Sequence, residues 1–373
     1  MKPTDLRYRR SRRQKRRERN IRLSLLGNRR VVRRARKNLF QLLSGDDLPQ
    51  NIIPKKWMVR TLTLPKVLSV RDNLEATMKF FGAMQKAFLH DRCSRVILDH
   101  SKLEVLTPEA ALMLIAECHR LKQHSKQTDL WTMGNSTSQE VEDLLYGVGY
   151  NDYFNASSIN SPDIRASAQR DGVTFIKHQK GSQTSTEVAS NMVDHFQKML
   201  KFSKVRADRL KVSLGECMNN VSQHAYPEDK VRSHRWGSRF WWLLGYVDNT
   251  TQELYFSFLD QGVGLAQTLG RKWRDLDLLF RPTDAELVVR AFEKRRSRTH
   301  ENHRGRGLTT LKKYIDQATD GELFVQSQRV QCRFKPRTRP KAITTTVPLA
   351  GTLLVWQVSA ATNANNSPDA PTP

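Results

Sequence analysis

The first 38 residues limit what this chain can pack. They hold 17 Lys or Arg against 2 Asp or Glu, a net charge of +15. Like charges at that density repel one another, so the segment reads as a solvated arm and the core must be built from residues beyond it. Apolar residues at Ile21, Leu23, Leu26, Val31, Val32, Leu39 and Phe40 give part of it the spacing of a basic amphipathic helix. Such an arm suits nucleic acid or an anionic lipid surface, and it equally suits a nonspecific cationic tail, because charge alone does not choose a partner. Tyr8 is the only aromatic residue before Phe40, so no base-stacking platform is evident.

The whole chain of 373 residues carries +26. Beyond the arm, the excess sits in residues 265–306 (+5) and in 329–341 (+6), which reads as a basic loop between two late strands; everything else balances to zero. The longest apolar run, Ala110 to Ala116, is too short to span a bilayer. The basic start does not give way to an apolar stretch, as a secretory signal would. Cys93, Cys118, Cys217 and Cys332 are far apart and read as reduced thiols rather than a disulfide or zinc framework. A cytoplasmic protein of two domains is the expectation.

The texture turns globular at Trp57. Val96-Ile97-Leu98-Asp99 reads as a buried strand. Thr107-Pro108-Glu109 is a helix start, with Thr107 as cap and Pro108 in the first turn, leading into an apolar helix from Ala110 to Leu121. Leu130 to Met133 reads as a second strand, and Ser136 with Gln139 as a capping box for a helix ending near Gly147. The order describes a small α/β domain over 55–155, preceded by the arm at 1–54. Residues 156–183 are polar and read as a linker. A second unit, 184–360, has two long helices, a hairpin, an irregular basic stretch, a helix and further strands, an α+β order. Residues 361–373 read as a disordered tail.

The chemistry-bearing stretch is Leu214 to Tyr226, on a helix that Pro227 ends. Glu216, Asn220 and His224 recur every four residues and share one face. Leu210, Leu214, Cys217, Val221 and Ala225 form the adjacent apolar stripe. A carboxamide oxygen can hold magnesium while a carboxylate one turn away orients or deprotonates a nucleophile, although a plain polar helix face has the same composition. Three further elements come later in the chain. After a hairpin (Phe240 to Val247, a turn at Asp248-Asn249, Leu254 to Leu259) stands Asp260-Gln261-Gly262-Val263-Gly264 at a strand end. Arg304-Gly305-Arg306-Gly307 opens a helix, whose N-terminal amides favour phosphate. Gly351-Thr352 opens a last strand, Leu353 to Val358.

These four elements, over about 184–360, resemble the GHKL superfamily of ATP-binding domains (gyrase, heat-shock chaperone, histidine kinase, MutL), which have a Bergerat α/β sandwich fold. The resemblance implies that Asn220 holds magnesium and Glu216 acts as general base. It implies that Asp260, supported by Thr352, binds the adenine amino group in a turn built by Gly262 and Gly264. Gly305 and Gly307 would approach the phosphates, Arg304 and Arg306 would meet their charge, and 265–304 would form a mobile lid. The Glu-x-x-x-Asn-x-x-x-His-Ala-Tyr form is most similar to the anti-sigma-factor Ser/Thr kinase branch. The 55–155 unit is similar to a STAS domain, the usual partner of such kinases. It departs from that family at the phosphorylatable turn, where Thr107-Pro108-Glu109-Ala110 stands, so it reads as a degenerate docking module unless Thr107 substitutes.

The resemblance therefore implies an ATP- and magnesium-dependent regulatory switch, acting as a Ser/Thr kinase or ATPase on a sigma-factor-like or STAS-type partner, with homodimerisation an option of the same family. Two other classes stay open: an ATP-driven ATPase associated with nucleic acid, which the arm 1–38 favours, and a non-catalytic ATP sensor that binds partners.

Overall fold

The computed structural model describes residues 58–91, 93–125, 128–154, 169–170, 172–227, 239–273, 282–293, 307–316 and 320–359. The arm 1–54 and the tail 361–373 lie outside them, as do Arg304, Gly305 and Arg306.

The chain folds into a mixed α/β structure. In its first region, β1 (Val59–Thr63), β3 (Arg95–Asp99) and β5 (Asp129–Met133) make a parallel sheet of order β1-β3-β5. Alternation along β3 and β5 turns Val96, Leu98 and Leu130 into the core. The opposite face keeps Val59, Trp131 and Met133 exposed, with the Arg95 guanidinium 4.4 Å above the Trp131 ring. Two two-residue strands, β2 (Val67–Leu68) and β4 (Val105–Leu106), pair beside it.

Helix α1 (Leu74–Gln85, continued by a wider turn to His90) buries Phe80, Phe81 and Met84. Helix α2 runs from Pro108 to His124 with Thr107 in extended conformation at its N-cap, as the Thr-Pro pair predicts. Helix α3 (Gln139–Gly147) starts later than a Ser136 cap would put it. Ser138 is its N-cap, and the Ser136 hydroxyl instead donates to the Leu103 carbonyl and accepts from the Ser138 amide. The local sequence offers two serines, and the tertiary partner Leu103 decides between them.

The second region is built on a six-stranded antiparallel sheet of order β10-β11-β9-β8-β7-β6. Its members are β6 (Gln169–Arg170), β7 (Val173–Gly181), β8 (Trp241–Asp248), β9 (Glu253–Asp260), β10 (Gly321–Phe334) and β11 (Lys341–Ser359). Strand β7 corrects the expected linker: Val173-Thr174-Phe175-Ile176 pairs with β8, and only the surrounding polar composition disguises it. The turn between β8 and β9 is held by Asp248, whose Oδ1 accepts from the Thr250 and Thr251 amides at 2.8 and 3.2 Å.

On one face of this sheet lie α4 (Thr186–Leu200), α5 (Lys204–Asn220), α6 (Leu265–Trp273), α7 (Asp284–Glu293) and α8 (Gly307–Asp316). Met192, Phe196, Leu210, Leu214, Leu311 and Ile315 meet Trp241, Leu243, Phe256, Phe258 and Trp356 there. The segment 265–304, expected as a lid, thus contains helices α6 and α7 in its described parts.

The other face is covered by the first region. Leu112, Leu114, Ile115, Ala116, Cys118 and Leu121 of α2 share one continuous core with Trp242, Leu244, Leu259, Phe324, Leu353 and Val355 of the sheet. Over Ala110–Ala116 helix α2 is apolar around its whole circumference, because it is buried between two sheets. Strands β8 and β9 are near-continuous apolar runs for the same reason.

The basic stretch 329–341 is the far end of the β10–β11 hairpin rather than a plain loop. Arg333 stands directly across from Lys341, and the turn between them carries Lys335, Arg337 and Arg339. All four cysteines are free and buried. Among the described residues, no helix is long and apolar enough to cross a membrane, and no three His, Cys, Asp or Glu residues converge to hold a metal.

Candidate functional site

Helix α5 begins at Ser203, whose hydroxyl accepts from the Arg206 amide at 3.3 Å. Its stripe Leu210, Leu214 and Cys217 is buried against the sheet, which leaves Glu216 and Asn220 half-buried along its flank. The α-helix ends at Asn220 and continues as a wider π-type turn, Val221–Ala225. Glu216 and Asn220 therefore keep the four-residue register, whereas His224 leaves it. Burial pushes the Glu216 carboxyl up. Neither Glu216 nor Asn220 has a side-chain hydrogen-bond partner among the described residues. Glu216 opens on a cleft of about 370 Å³ between α4 and α5, beside Thr184, Thr186, Ser190, Lys211 and Asn219. Lys211 is paired with Asp194 at 2.7 Å.

The second carboxylate, Asp260, ends β9 and is 6% exposed. Its Oδ1 accepts from the Gly262 amide at 2.7 Å, closing a tight turn. Thr352 is its cross-strand partner on β11 and hydrogen-bonds the carboxylate. Desolvation outweighs these bonds and pushes the Asp260 carboxyl up to about 6. Behind Thr352, its hydroxyl and that of Ser327 lie 3.2 Å apart.

Two glycines make this corner possible. A Cβ on Gly262 would lie 2.3 Å from the Ala225 carbonyl oxygen, so only glycine lets the turn lie on the end of the α5 segment. There the Val263 amide donates to that same carbonyl at 2.9 Å. Gly351 has φ +87°, and a Cβ on it would lie 2.0 Å from the Asp260 carbonyl oxygen. Gly351-Thr352 therefore does not open a strand. It is an irregularity within the long β11, at the point where pairing with β9 begins.

Tyr226 ties the two motifs together. Its hydroxyl accepts from the Gln261 amide at 3.1 Å and donates to the Phe240 carbonyl at 2.9 Å. Gly264 continues the turn into α6, where the Leu265 amide donates to the Ser327 hydroxyl at 2.8 Å. The Cys217 thiol, pushed up by burial, also feels the negative charge of both Glu216 and Asp260. Asp260, Gly262, Gly264 and Thr352 thus gather around one corner, where the end of the α5 segment at Ala225 meets the ends of β9 and β11; Glu216 and Asn220 stand further back on α5, Glu216 on the α4–α5 cleft. Of the glycine box at 304–307, the structure describes only Gly307, the first residue of α8. Tyr226 and Gln261 lie inside the motifs but gain no role from the sequence; Ser327 carries no local signal at all.

The corner offers a buried carboxylate, and α5 carries a carboxylate and a carboxamide with spare oxygen donors one turn apart. Hard oxygen donors of that kind fit magnesium. Comparison with protein-family models and with curated proteins gave no match.

Proposed function

We propose that this corner binds an adenine nucleotide with magnesium, and that the protein is an ATP-dependent regulatory switch resembling the anti-sigma-factor kinase branch of the GHKL ATPases. The first region would be its STAS-like module. The observation that carries the reading is the packing of the Asp260–Gly264 turn onto the end of the Glu216–Asn220 helix, through Gly262 and Val263 against the Ala225 carbonyl.

In this reading the ionised Asp260 accepts a hydrogen bond from the adenine amino group, and Thr352 holds the carboxylate in place. Asn220 and Glu216 supply oxygen atoms on the phosphate side. Asn220 and Glu216 would be the residues to hold magnesium, which would supply positive charge against the phosphate oxygens. Glu216, with a carboxyl raised by burial, takes the proton of the attacking hydroxyl or water. Transfer is to Ser or Thr of a separate protein, and the first region offers no ready acceptor at its own helix start, since the Thr107 hydroxyl oxygen there is buried.

A fluorescent ATP analogue titrated with and without magnesium tests this. The wild-type protein is expected to bind it. Asn220→Ala should lose the magnesium-dependent part of the affinity, roughly tenfold or more. Glu216→Gln should keep the affinity and slow transfer or hydrolysis about 100- to 10,000-fold. Absence of adenine-nucleotide binding by the wild type would sink the reading.

One observation favours the nucleic-acid-associated class. Lys335, Arg337, Arg339 and Lys341 cluster on the β10–β11 hairpin, all four exposed. If they meet nucleic-acid phosphates, replacing all four by Gln should lower the salt slope of binding (log K against log salt) by about 3. Nucleic acid should also stimulate phosphate release by the wild type. An unchanged slope and no stimulation would dismiss this class for the hairpin.

A further inference from the structure

Helix α2 carries two charges in the middle of a surface that is otherwise apolar. Glu117 and Arg120 lie one turn apart with side chains 6% and 7% exposed. Burying a charge pair costs desolvation on both partners, and the cost is met only when the remaining lone pairs find donors. The Glu117 carboxylate accepts from Arg120 Nε at 2.9 Å and Arg120 Nη2 at 2.5 Å. Its third donor comes from the far region of the chain: Gln261 Nε2, at 2.9 Å.

Gln261 sits between Asp260 and Gly262. Alternation along the strand end explains how it reaches α2. Leu259 packs in the core shared with the first region, and Asp260 belongs to the opposite face with its turn. Gln261 therefore faces the first region again. Its backbone amide is fixed at the same time by Tyr226, at the end of the α5 segment. The positive charge of Arg120 also acts on the Tyr226 hydroxyl. Arg120, Glu117, Gln261 and Tyr226 thus form one connected set that crosses the sheet corner.

We infer that Gln261, held by Glu117, is a positioning residue through which helix α2 of the first region sets the geometry of the Asp260–Gly262 ligand turn. The inference rests on the reading of that turn as part of the nucleotide site. The physical argument is one of restraint. The turn is anchored at Val263 and Tyr226 by backbone bonds from one side, and the Glu117 bond is its anchor from the other. Any shift of α2 against the sheet would have to move Gln261, and the adjacent carboxylate with it. By linkage, a ligand that needs the turn in place stabilises the docked position of α2 by the same factor.

The test uses the full chain and two readouts. Gln261→Ala removes the side-chain bond and keeps the Glu117–Arg120 pair and the backbone bonds, so folding is retained. It is expected to weaken Mg-ATP binding about tenfold. It should also speed amide exchange of the peptide covering 260–265 by a similar factor. In the wild type, Mg-ATP should slow exchange in the α2 peptide 112–121; in Gln261→Ala that protection should disappear. A purely structural role for Gln261 would not move this last signal. Combining Glu117→Met with Arg120→Met removes the acceptor without leaving Arg120 unpaired and provides the cycle: if Gln261 acts through the Glu117 bond, Gln261→Ala adds nothing to the affinity loss in that background. Unchanged exchange at 260–265 overturns the inference, whatever happens to affinity. If the wild type binds no nucleotide, the functional reading fails by itself. Exchange at 260–265 then decides the restraint alone: faster exchange in Gln261→Ala supports it and equal exchange overturns it.

Discussion

Asp260→Asn is expected to make the protein more stable at pH 7 while weakening adenine-nucleotide binding about 100-fold. The reason is the burial of Asp260, whose carboxyl is raised from its ordinary 3.8 to about 6. The folded state holds this proton more tightly than the unfolded chain does. The stability it contributes is therefore complete below about pH 4 and is lost as pH rises through about 6. At pH 7 the ionised carboxylate costs about 2–3 kcal/mol relative to its protonated form. Asparagine keeps an oxygen for the Gly262 amide and offers a donor to the Thr352 hydroxyl, without the charge, and gives up the bond from the Thr352 backbone amide. Urea unfolding of both proteins from pH 3.5 to 7.5 should give equal stabilities near pH 4 and a gap that opens towards pH 7. An asparagine variant less stable than the wild type at pH 7 would contradict this account. The same protonation predicts that nucleotide affinity falls as pH drops below about 6, since the neutral acid is a poorer acceptor for the adenine amino group. A residue that weakens the fold when charged is explained most simply if the charge is kept for a ligand.

Gly351→Ala is expected to cost about 3–5 kcal/mol, enough to unfold much of a marginally stable population. Two penalties add: a positive φ that an alanine adopts only with strain, and a Cβ 2.0 Å from the Asp260 carbonyl oxygen. That oxygen belongs to backbone rather than to a flexible side chain, so β11 would have to pull away from β9. Gly82, inside α1, gives the matched control, because a Cβ added there would meet nothing within 4 Å. Gly82→Ala should stabilise the protein by about 0.5–1 kcal/mol. Thermal or urea unfolding separates the two outcomes. Similar effects from both substitutions would mean that close packing at the β9–β11 corner is not what makes Gly351 necessary.

Part of this architecture is readable in the sequence, and the rest belongs to tertiary contacts. Thr107-Pro108 marks the start of α2, and Asp248-Asn249 marks the hairpin turn, because capping and turn chemistry act over a few residues. Glu216 and Asn220 are legible as one helix face, and Asp260 as a strand end. The widening of the helix after Asn220 is not, since nothing in Val221–Ala225 announces an extra residue in the turn. Strand β7 escapes a reading by composition because Val173 to Ile176 is short and polar residues surround it. The Ala110–Ala116 run points to a helix apolar on all sides. That pattern requires cover on both sides, but it does not say which distant strands supply it. Glu117 and Gln261 are 144 positions apart, so only the fold could bring them together.

The continuous core through α2 also constrains how this protein can change over generations. A substitution such as a larger residue at Ala111 or Ala116 must satisfy two sheets at once, one parallel and one antiparallel. Exchange of the first region for an unrelated module would strip Trp242, Leu244, Leu259 and Phe324 of their cover in a single event. At this seam a change of volume in one region therefore has to be matched by the other.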